Sequence, residues 1–314
     1  MRQGVAAIGL CSWDRFIVTE YYPGPGEYAI VREQLEQAGG TTGNTCHALA
    51  RLGIDVMLAS VVGDDPEGRA LIASLDDAGC DTSAIAIREG AKSDSGVIVV
   101  SGAPGHRDRT IYWIQGVKPV MGDPLPIDLM LEHTWVHVDI DDPRLRAFFL
   151  DLPAHRSPRT KLFGTMTYLV EMPGDSGWQH ALRFDAVTGN QRELLTLLGT
   201  TSLDDAIARV QRDLVANACQ VVFLSRGAEG ALAIRANGIE TSPAIPVDVV
   251  DTTGAGDAFA AGCLWGLLDR VGDGEILRRA NAMGGLACRT LGARAALPTR
   301  SEVESILQAV EATP

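Results

Sequence analysis

The 314-residue chain lacks the features on which several functional classes depend. No stretch approaches the uninterrupted apolar length of a membrane-spanning helix, which argues against a membrane protein. Basic residues are also few. The 27 Lys and Arg face 40 Asp and Glu, and a net charge of −13 argues against nucleic-acid binding, because phosphate contacts need clustered cations. The polar run Trp13-Asp14-Arg15 follows only a short apolar stretch, so we expect no secretory signal.

Cysteine pairs and several common catalytic motifs are absent as well. The six cysteines contain no CxxC pair, which favours reduced core thiols in a cytoplasmic protein over disulfides or a metal site. No GxxxxGK[ST] occurs, no GxGxxG follows the first apolar strand, and HExxH and GxSxG are missing, so P-loop and dinucleotide-binding proteins are disfavoured. His106 and His137 are isolated, which is more typical of structural or solvated histidines than of catalytic ones.

The chain does contain a regular alternation of strand and helix patterns. This alternation predicts an α/β fold with a mostly parallel sheet covered by helices on both faces. Ligands of such sheets bind at the carboxyl ends of the strands, where we expect Asp14 to follow the first strand. We predict strands at 5–10, 55–62, 135–140, 161–166, 221–225 and 230–234, and helices at 44–52, 66–78, 144–152, 191–198 and 203–218.

Two segments depart from this alternation. Residues 16–35 alternate aromatic and polar side chains around Pro23-Gly24-Pro25-Gly26, which suggests exposed strands and not core. Residues 96–115 contain two strand patterns that flank a turn. Because no linker divides the chain, we expect a single domain over residues 1–314, with lid segments at about 14–36 and 95–117 inserted as a small sheet.

The stretch from Val249 to Gly262, VVDTTGAGDAFAAG, joins a β-branched run to an apolar helix. Gly254-Ala255-Gly256 carries almost no side-chain bulk at the point where the helix begins. Helix starts offer unpaired N–H groups and the positive end of the helix dipole, so small residues there suit an anion site. The alternative is a tight strand-to-helix turn in which Asp257 is an ordinary first-turn residue.

Other polar stretches also fall at expected helix starts or turns. At the start of the predicted helix after Gly39-Gly40, Asn44 is either a ligand-binding amide or an N-cap. Glu193, in the run Asn190-Gln191-Arg192-Glu193, either favours the helix dipole or reaches a hydrated Mg²⁺. The run from Phe223 to Gly230 is either a plain turn between strands or part of a ligand site.

Taken together and in this order, these stretches resemble the ribokinase-like (PfkB) family of sugar and nucleoside kinases. The resemblance extends from Gly9 to about Pro298 and includes a DTxGAGD element at 251–257, a GG-x(3)-N element at 39–44 and an NxxE element at 190–193. It implies a three-layer α/β/α core with a small β-sheet lid. Trp13-Asp14-Arg15, Arg109-Thr110-Ile111-Tyr112 and the run 293–298 are most similar to the ketohexokinase and sulfofructose kinase branch.

The resemblance implies a role for individual residues. Asp257 would be the catalytic base, and Gly254, Ala255 and Gly256 would stabilise the transferring phosphoryl group with their amides. Glu193 would order Mg²⁺ through its waters. The resemblance further implies an acceptor site of Asp14, Gly40, Asn44 and Arg109, a nucleotide site of Asn190, Glu193, Ser225, Gly227 and Asn281, and a monovalent cation such as K⁺ near Asp251, Thr253, Ala287, Thr290, Gly292 and Ala296.

These roles imply an ATP-dependent kinase that phosphorylates a primary hydroxyl of a small sugar. Ribokinase itself has lysine and glycine where this chain has Thr41-Thr42, which argues against ribose, and the similarity to the ketohexokinase and sulfofructose kinase branch implies a ketose or ketose-like acceptor. Arg15, Arg107 and Arg109 are either solvated lid charges or ligands for an anionic tail on that ketose. The alternatives are a nucleoside kinase of the same fold and a non-catalytic nucleotide- or sugar-binding regulator. By analogy with relatives we expect a homodimer through the lid.

Overall fold

The computed structural model describes residues 2–102, 108–152 and 160–311. Thirteen strands and ten helices are defined there. The strands are β1 (Arg2–Gly9), β2 (Ser12–Thr19), β3 (Glu33–Gly39), β4 (Val56–Gly63), β5 (Ile85–Arg88), β6 (Ser95–Ser101), β7 (Asp108–Ile114), β8 (His133–Asp139), β9 (Lys161–Thr165), β10 (Ala186–Asn190), β11 (Val221–Ser225), β12 (Ala231–Arg235) and β13 (Gly238–Ser242). The helices are α1 (Thr41–Arg51), α2 (Pro66–Asp77), α3 (Ile127–Met130), α4 (Pro143–Asp151), α5 (Ser176–Ala181), α6 (Gln191–Leu198), α7 (Leu203–Leu214), α8 (Ala255–Asp269), α9 (Asp273–Ala287) and α10 (Arg300–Glu311).

A nine-stranded sheet forms the centre of the molecule in the order β13-β12-β11-β10-β9-β8-β1-β4-β5. The pairs from β11 to β5 are parallel, whereas β12 and β13 pair antiparallel at one edge. Successive side chains of a strand point to opposite faces, and β1 shows the result. Val5 and Ala7 join one buried apolar cluster with α1, α2, α8, α9 and α10, while Ala6 and Ile8 join another with α3–α7. The predicted three-layer α/β/α core is confirmed.

The predicted core elements are present, but several boundaries were wrong. Strand β1 ends at Gly9, so Asp14 does not follow the first strand and lies within β2 of a different sheet. Helix α1 begins at Thr41 after Gly40, so Asn44 lies inside the helix and is not its N-cap. Helix α7 ends at Leu214 instead of 218. Helices α9 and α10 had no counterpart among the predicted elements.

The two segments that departed from the alternation pair into a separate four-stranded sheet, β3-β2-β6-β7. Strand β2 pairs antiparallel with β3 and parallel with β6, and β6 pairs antiparallel with β7. The expectation of fully exposed strands was wrong for one face, because Phe16 and Val18 pack with Ile98 and Val100 in a small buried cluster. Within the described ranges, no helix is long and apolar enough to cross a membrane.

Candidate active site

The backbone conformation at the start of helix α8 leaves the first turn of the helix uncapped. Gly254 is the N-cap residue with a left-handed φ of 78°, and no side chain caps the helix there. A Cβ on Gly254 would lie 2.7 Å from the Ala293 Cβ, so the close approach also requires glycine. A Cβ on Gly256 would meet nothing within 4 Å and would point into open space. Gly254, Gly256 and Asp257 line a cavity, whereas the Ala255 N–H donates to the Thr252 carbonyl at 3.3 Å.

Asp257, in the first turn of α8, lies against helix α1. Its Oδ2 accepts a 2.8 Å hydrogen bond from Asn44 Nδ2, and its backbone carbonyl accepts one from Thr45 Oγ1 at 3.3 Å. Burial raises the pKa of Asp257 to about 8, and the Asp139 charge adds to this effect, while the Asn44 hydrogen bond opposes it. A carboxyl group with such a pKa is suited to accept a proton near neutral pH.

The structure adds Arg294 to this pair, a residue whose position the sequence did not reveal. Its Nε donates to Asn44 Oδ1 at 2.8 Å, and its Nη2 donates to the Gly39 carbonyl at the same distance. Because an arginine can only donate, the Asn44 oxygen must face Arg294 and the amide NH₂ must face Asp257. Arg294 is buried and its charge also opposes the upward shift of the Asp257 pKa.

Asp257 and Asn44 line a cavity of about 470 Å³ that runs between the two sheets. Asp14 lies in the same cavity with Oδ1 accepting from Ser12 Oγ at 3.1 Å, and burial raises the pKa of Asp14 to about 6. The predicted residues Asp14, Gly40, Asn44, Arg109, Asn190, Glu193, Ser225, Gly254, Gly256 and Asp257 all line this cavity.

A further carboxylate that the sequence analysis missed, Asp139, lies at the carboxyl end of β8. Its Oδ2 accepts from Thr41 Oγ1 at 2.5 Å and Thr42 Oγ1 at 3.2 Å, and its Oδ1 accepts from Thr165 Oγ1 at 2.5 Å. The Thr41–Thr42 pair therefore binds a carboxylate at the cavity wall. The position of Asp139 as the last residue of an apolar strand is the signal that could have found it.

Asn190 and Glu193 form a reciprocal capping box at the start of α6. Glu193 N donates to Asn190 Oδ1 at 2.9 Å, and Asn190 N donates to Glu193 Oε2 at 2.8 Å. Burial raises the pKa of Glu193, and the Asp139 charge raises it further. Both alternatives for Glu193 thus remain open, because a carboxylate that caps a helix still has lone pairs to accept from a metal-bound water.

A second cavity of about 470 Å³ adjoins the first and is mostly apolar. Ser225, Thr252, Gly256 and Phe259 line both cavities. Asn281 lies in its wall, where Nδ2 donates to the carbonyls of Ser242 and Pro243 at 3.2 and 2.9 Å. The second cavity is lined by Ser225, Gly227, Ala228, Gly230, Ala244, Ile245, Pro246, Val247, Val249, Thr252, Ala255, Gly256, Phe259, Asn281, Gly284, Gly285 and Cys288.

The three arginines considered as anion ligands lie in different places. Arg109 of β7 lines the first cavity, and its Nη1 donates to Thr252 Oγ1 at 2.5 Å. Arg15 instead forms ion pairs with Glu36 and Glu67, both at 3.0 Å, and is not among the cavity-lining residues. Arg107, like His106, falls outside the described residues. His137 is buried against Phe163, with its Nδ1 3.3 Å from the Phe163 carbonyl oxygen.

The residues suggested for a monovalent cation are only partly brought together. Asp251 Oδ1 accepts from Thr253 N and Oγ1 at 3.0 and 2.8 Å, and its Oδ2 accepts from Gly292 N at 2.9 Å. Thr290 is exposed, Ala287 is buried and Ala296 is half-buried. In the part of the chain that the structure describes, no group of three or more His, Cys, Asp or Glu is arranged to hold a metal ion.

Comparison with known proteins gives matches along nearly the whole chain. Residues 2–116 and 176–300 match the pfkB family carbohydrate kinase profile. The ATP-dependent ribose-1-phosphate kinase of Halopiger xanaduensis is 31% identical over 96% of this chain and 97% of its own. The aminoimidazole riboside kinase of Salmonella typhimurium is 30% identical over 87% of this chain and 88% of its own. A fructokinase of Escherichia coli is 30% identical over 85% and 91%, respectively.

Solved structures share the fold. Arabidopsis thaliana ribokinase complexed with ribose and ATP superimposes with a TM-score of 0.81, over 98% of this chain and 99% of its own, at 20% identity. The small sheet and the nine-stranded sheet described above therefore have a counterpart in a ribokinase.

Proposed function

The chain belongs to the pfkB family of carbohydrate kinases and is thus a phosphotransferase that acts on an alcohol group. On that premise we propose that it transfers the γ-phosphoryl group of ATP to a primary hydroxyl of a small ketose. The observation that carries this proposal is the cavity in which the buried Asp257 carboxylate and the uncapped start of α8 lie side by side.

In this proposal Asp257 accepts the proton of the acceptor hydroxyl. The nearby amides of Gly254, Ala255 and Gly256 stabilise the negative charge on the transferring group, and the α8 dipole adds to that stabilisation. Phosphoryl transfer depends mostly on positioning and charge neutralisation, so one base and a fixed set of amides meet its main requirements. Asn44, fixed by Arg294, holds the Asp257 carboxylate in one orientation.

The residues present fit a nucleotide and its metal. The apolar second cavity suits an adenine ring, with Ser225, Gly227 and Asn281 in its wall. Mg²⁺ usually retains several waters and binds few protein carboxylates, which matches Glu193 in the wall of the first cavity. When bound, the metal would neutralise phosphate charge, and Asn190 and Glu193 would accept hydrogen bonds from its waters.

Two observations support a ketose as the acceptor. The Thr41–Thr42–Asp139 contacts occupy the position where ribokinase has a different pair, and a fructokinase is among the relatives. A nucleoside acceptor is the second candidate, because a riboside kinase is equally similar. The test is kcat/KM for fructose, ribose and adenosine with Mg-ATP, measured by ADP release. A preference for fructose supports the proposal, a preference for adenosine or ribose rejects the ketose, and ATP binding without turnover would favour a regulator.

We also propose that the small sheet acts as a lid and mediates a homodimer. Tyr112 and Ile114 of β7 and Tyr28 and Ile30 of the β2–β3 connection are exposed apolar residues that a partner would cover. Static light scattering that shows a monomer at all concentrations would reject the dimer.

The six buried free cysteines support the prediction of a cytoplasmic, reducing setting. A K⁺ site near Asp251 stays a proposal, tested by turnover in potassium against sodium buffers.

A further inference from the structure

Asp94 is a buried carboxylate of the first cavity that the proposed mechanism does not use. It precedes β6, and its side chain lines the same wall as Asp14, with only 1% of the residue exposed. Its backbone carbonyl accepts from Trp13 N at 2.9 Å, which ties it to β2. Asp94 is therefore held in place by the small sheet at the end of the cavity where we expect the acceptor.

Only one of the two Asp94 oxygens has a partner. Oδ2 accepts from Trp113 Nε1 at 2.7 Å and from Gly116 N at 3.2 Å, whereas Oδ1 is buried without a partner in the described residues. The nearby Ser12 hydroxyl has a single proton and donates it to Asp14. A buried acceptor left unpaired is costly, and such a group in a cavity wall points to a ligand that donates to it.

The charges around the cavity limit what that ligand can be. Six carboxylates line it, namely those of Asp14, Asp94, Asp139, Glu171, Glu193 and Asp257. Among the cations in the described part of the chain, Arg109 donates to Thr252, Arg294 is bound to Asn44 and Gly39, and the Lys118 ammonium near Asp94 is paired with Asp141. An anionic group beside Asp14 and Asp94 would meet like charges at short range in a poorly solvated site.

We propose that Asp94 and Asp14 together accept hydrogen bonds from two hydroxyl groups of the acceptor. This carboxylate pair selects neutral polyhydroxylated sugars over sugars that carry a phosphate at the end bound by Asp94 and Asp14. The inference rests on the proposed function and deepens it, since it assigns a specificity-determining residue for the acceptor. Burial raises the pKa values of both Asp14 and Asp94, and the Asp94 charge adds to the shift of Asp14, so binding of a hydroxyl-rich acceptor weakens when acid protonates the pair.

The first test uses the Asp94→Asn variant of the full chain. Asparagine retains one oxygen for Trp113 and Gly116 but replaces the unpaired acceptor with a donor. We expect the KM for fructose to rise by about 10- to 100-fold, which is the usual loss for a hydrogen bond to a charged group, with the KM for ATP unchanged. The exposed Asp128→Asn is the matched control for loss of one carboxylate and should leave both KM values unchanged. A fructose KM for Asp94→Asn within about twofold of wild type overturns the inference.

The second test needs only the wild-type enzyme, so it stands even if Asp94→Asn does not fold. ADP release is measured with fructose, fructose 6-phosphate, ribose and ribose 1-phosphate. We expect each neutral sugar to have a kcat/KM at least about tenfold above that of its phosphorylated counterpart, because phosphate meets several like charges. Preference for either phosphorylated sugar contradicts the inference while leaving the kinase intact. Absence of turnover with every sugar would instead reject the proposed function, and the inference with it.

Discussion

Helices α7 and α8 begin in opposite ways. At α7 the Ser202 hydroxyl accepts from Asp205 N at 3.2 Å, so a side chain of the protein satisfies the helix start. At α8 a glycine with positive φ precedes the helix, no side chain caps it, and its first turn borders the cavity. Helix α1, on the other side of Asp257, likewise begins after a glycine of positive φ, Gly40, without a side-chain cap.

This difference separates a start that only stabilises the fold from one that remains available to a ligand. A capped start offers less to a ligand, since the cap already gives one of its free N–H groups an acceptor. The α8 start keeps donors and dipole directed at the cavity, and the buried Asp257 beside it has a raised pKa. Retaining such a site costs stability, so substitutions at the two starts should affect activity and stability in opposite proportions.

The largest effect is expected for Asp257→Asn. Loss of a positioned base costs about 10²–10⁴ in rate, while the nearly isosteric amide keeps the fold and ATP binding. Folding raises the pKa of this carboxyl from 3.8 to about 8, so its contribution to stability is present below the lower value and is lost once the pH passes the higher one. We therefore expect the variant to melt at a higher temperature than wild type at pH 9. Retention of most of the activity would show that Asp257 is not the base.

Two alanine substitutions at the α8 start should separate the effect on activity from the effect on stability. Gly256→Ala adds a methyl group in open space, so we expect unchanged or higher stability but a loss of turnover on the order of 10²-fold from displacement of the phosphoryl group. Gly254→Ala forces a left-handed backbone on alanine and a contact with Ala293, so it should cost at least about 1–2 kcal/mol of stability. Thermal melts and turnover of both variants check this, and equal losses of stability would contradict it.

The pH profile should reflect the charges around Asp257. Because the base must be ionised, kcat/KM for the acceptor should fall about tenfold for each unit below a pH near 8. The Asn44 hydrogen bond lowers the Asp257 pKa, and Arg294→Lys keeps the charge but shortens the side chain that holds Asn44, so a weakened Asn44 hydrogen bond should move the acid limb to higher pH. A conservative change at an exposed arginine, Arg212→Lys, is the control and should leave the profile in place. An unshifted limb in Arg294→Lys would mean that the Arg294–Asn44 contact does not affect the Asp257 pKa.

The smallest effect is expected at the capped start. Ser202→Ala removes the N-cap of α7 and should lower stability by about 0.5–2 kcal/mol, as for other helix caps. Turnover per folded molecule should not change, because α7 lies outside the residues that line either cavity. Denaturant unfolding and ADP release on the same preparation measure the two quantities. A drop in kcat would contradict the claim that the α7 start affects stability and not turnover.

The sequence predicted the fold well because the alternating patterns are local. It predicted the GAGD turn for the same reason, since strand, small residues and helix follow one another within one stretch. The NxxE pattern was less informative, because Asn190 and Glu193 also form a capping box. A capping box alone would account for an asparagine and a glutamate at these two positions. A local motif therefore identifies where a site lies more securely than what each residue does.

The contacts that the sequence missed join residues far apart in the chain. Arg294 reaches Asn44 across 250 positions, and Thr41 reaches Asp139 across 98. Asp94 pairs with Trp113 only after the small sheet forms. Asp14 was misplaced because its strand follows β1 after two residues, so that one apolar run continues from one sheet into the other. Such contacts depend on tertiary packing and have no signature in local periodicity.

The most direct test of the open start of α8 is the ¹⁵N amide spectrum of the selectively labelled protein. Mg-ADP with aluminium fluoride, a mimic of the transferring phosphoryl group, is added together with fructose. We expect large shifts and slowed hydrogen exchange for the Gly254, Gly256 and Asp257 amides, and none for Asp205 at the capped start of α7. Unchanged signals at the α8 start, in a sample where the nucleotide is bound, would contradict the claim that these amides receive the phosphoryl group.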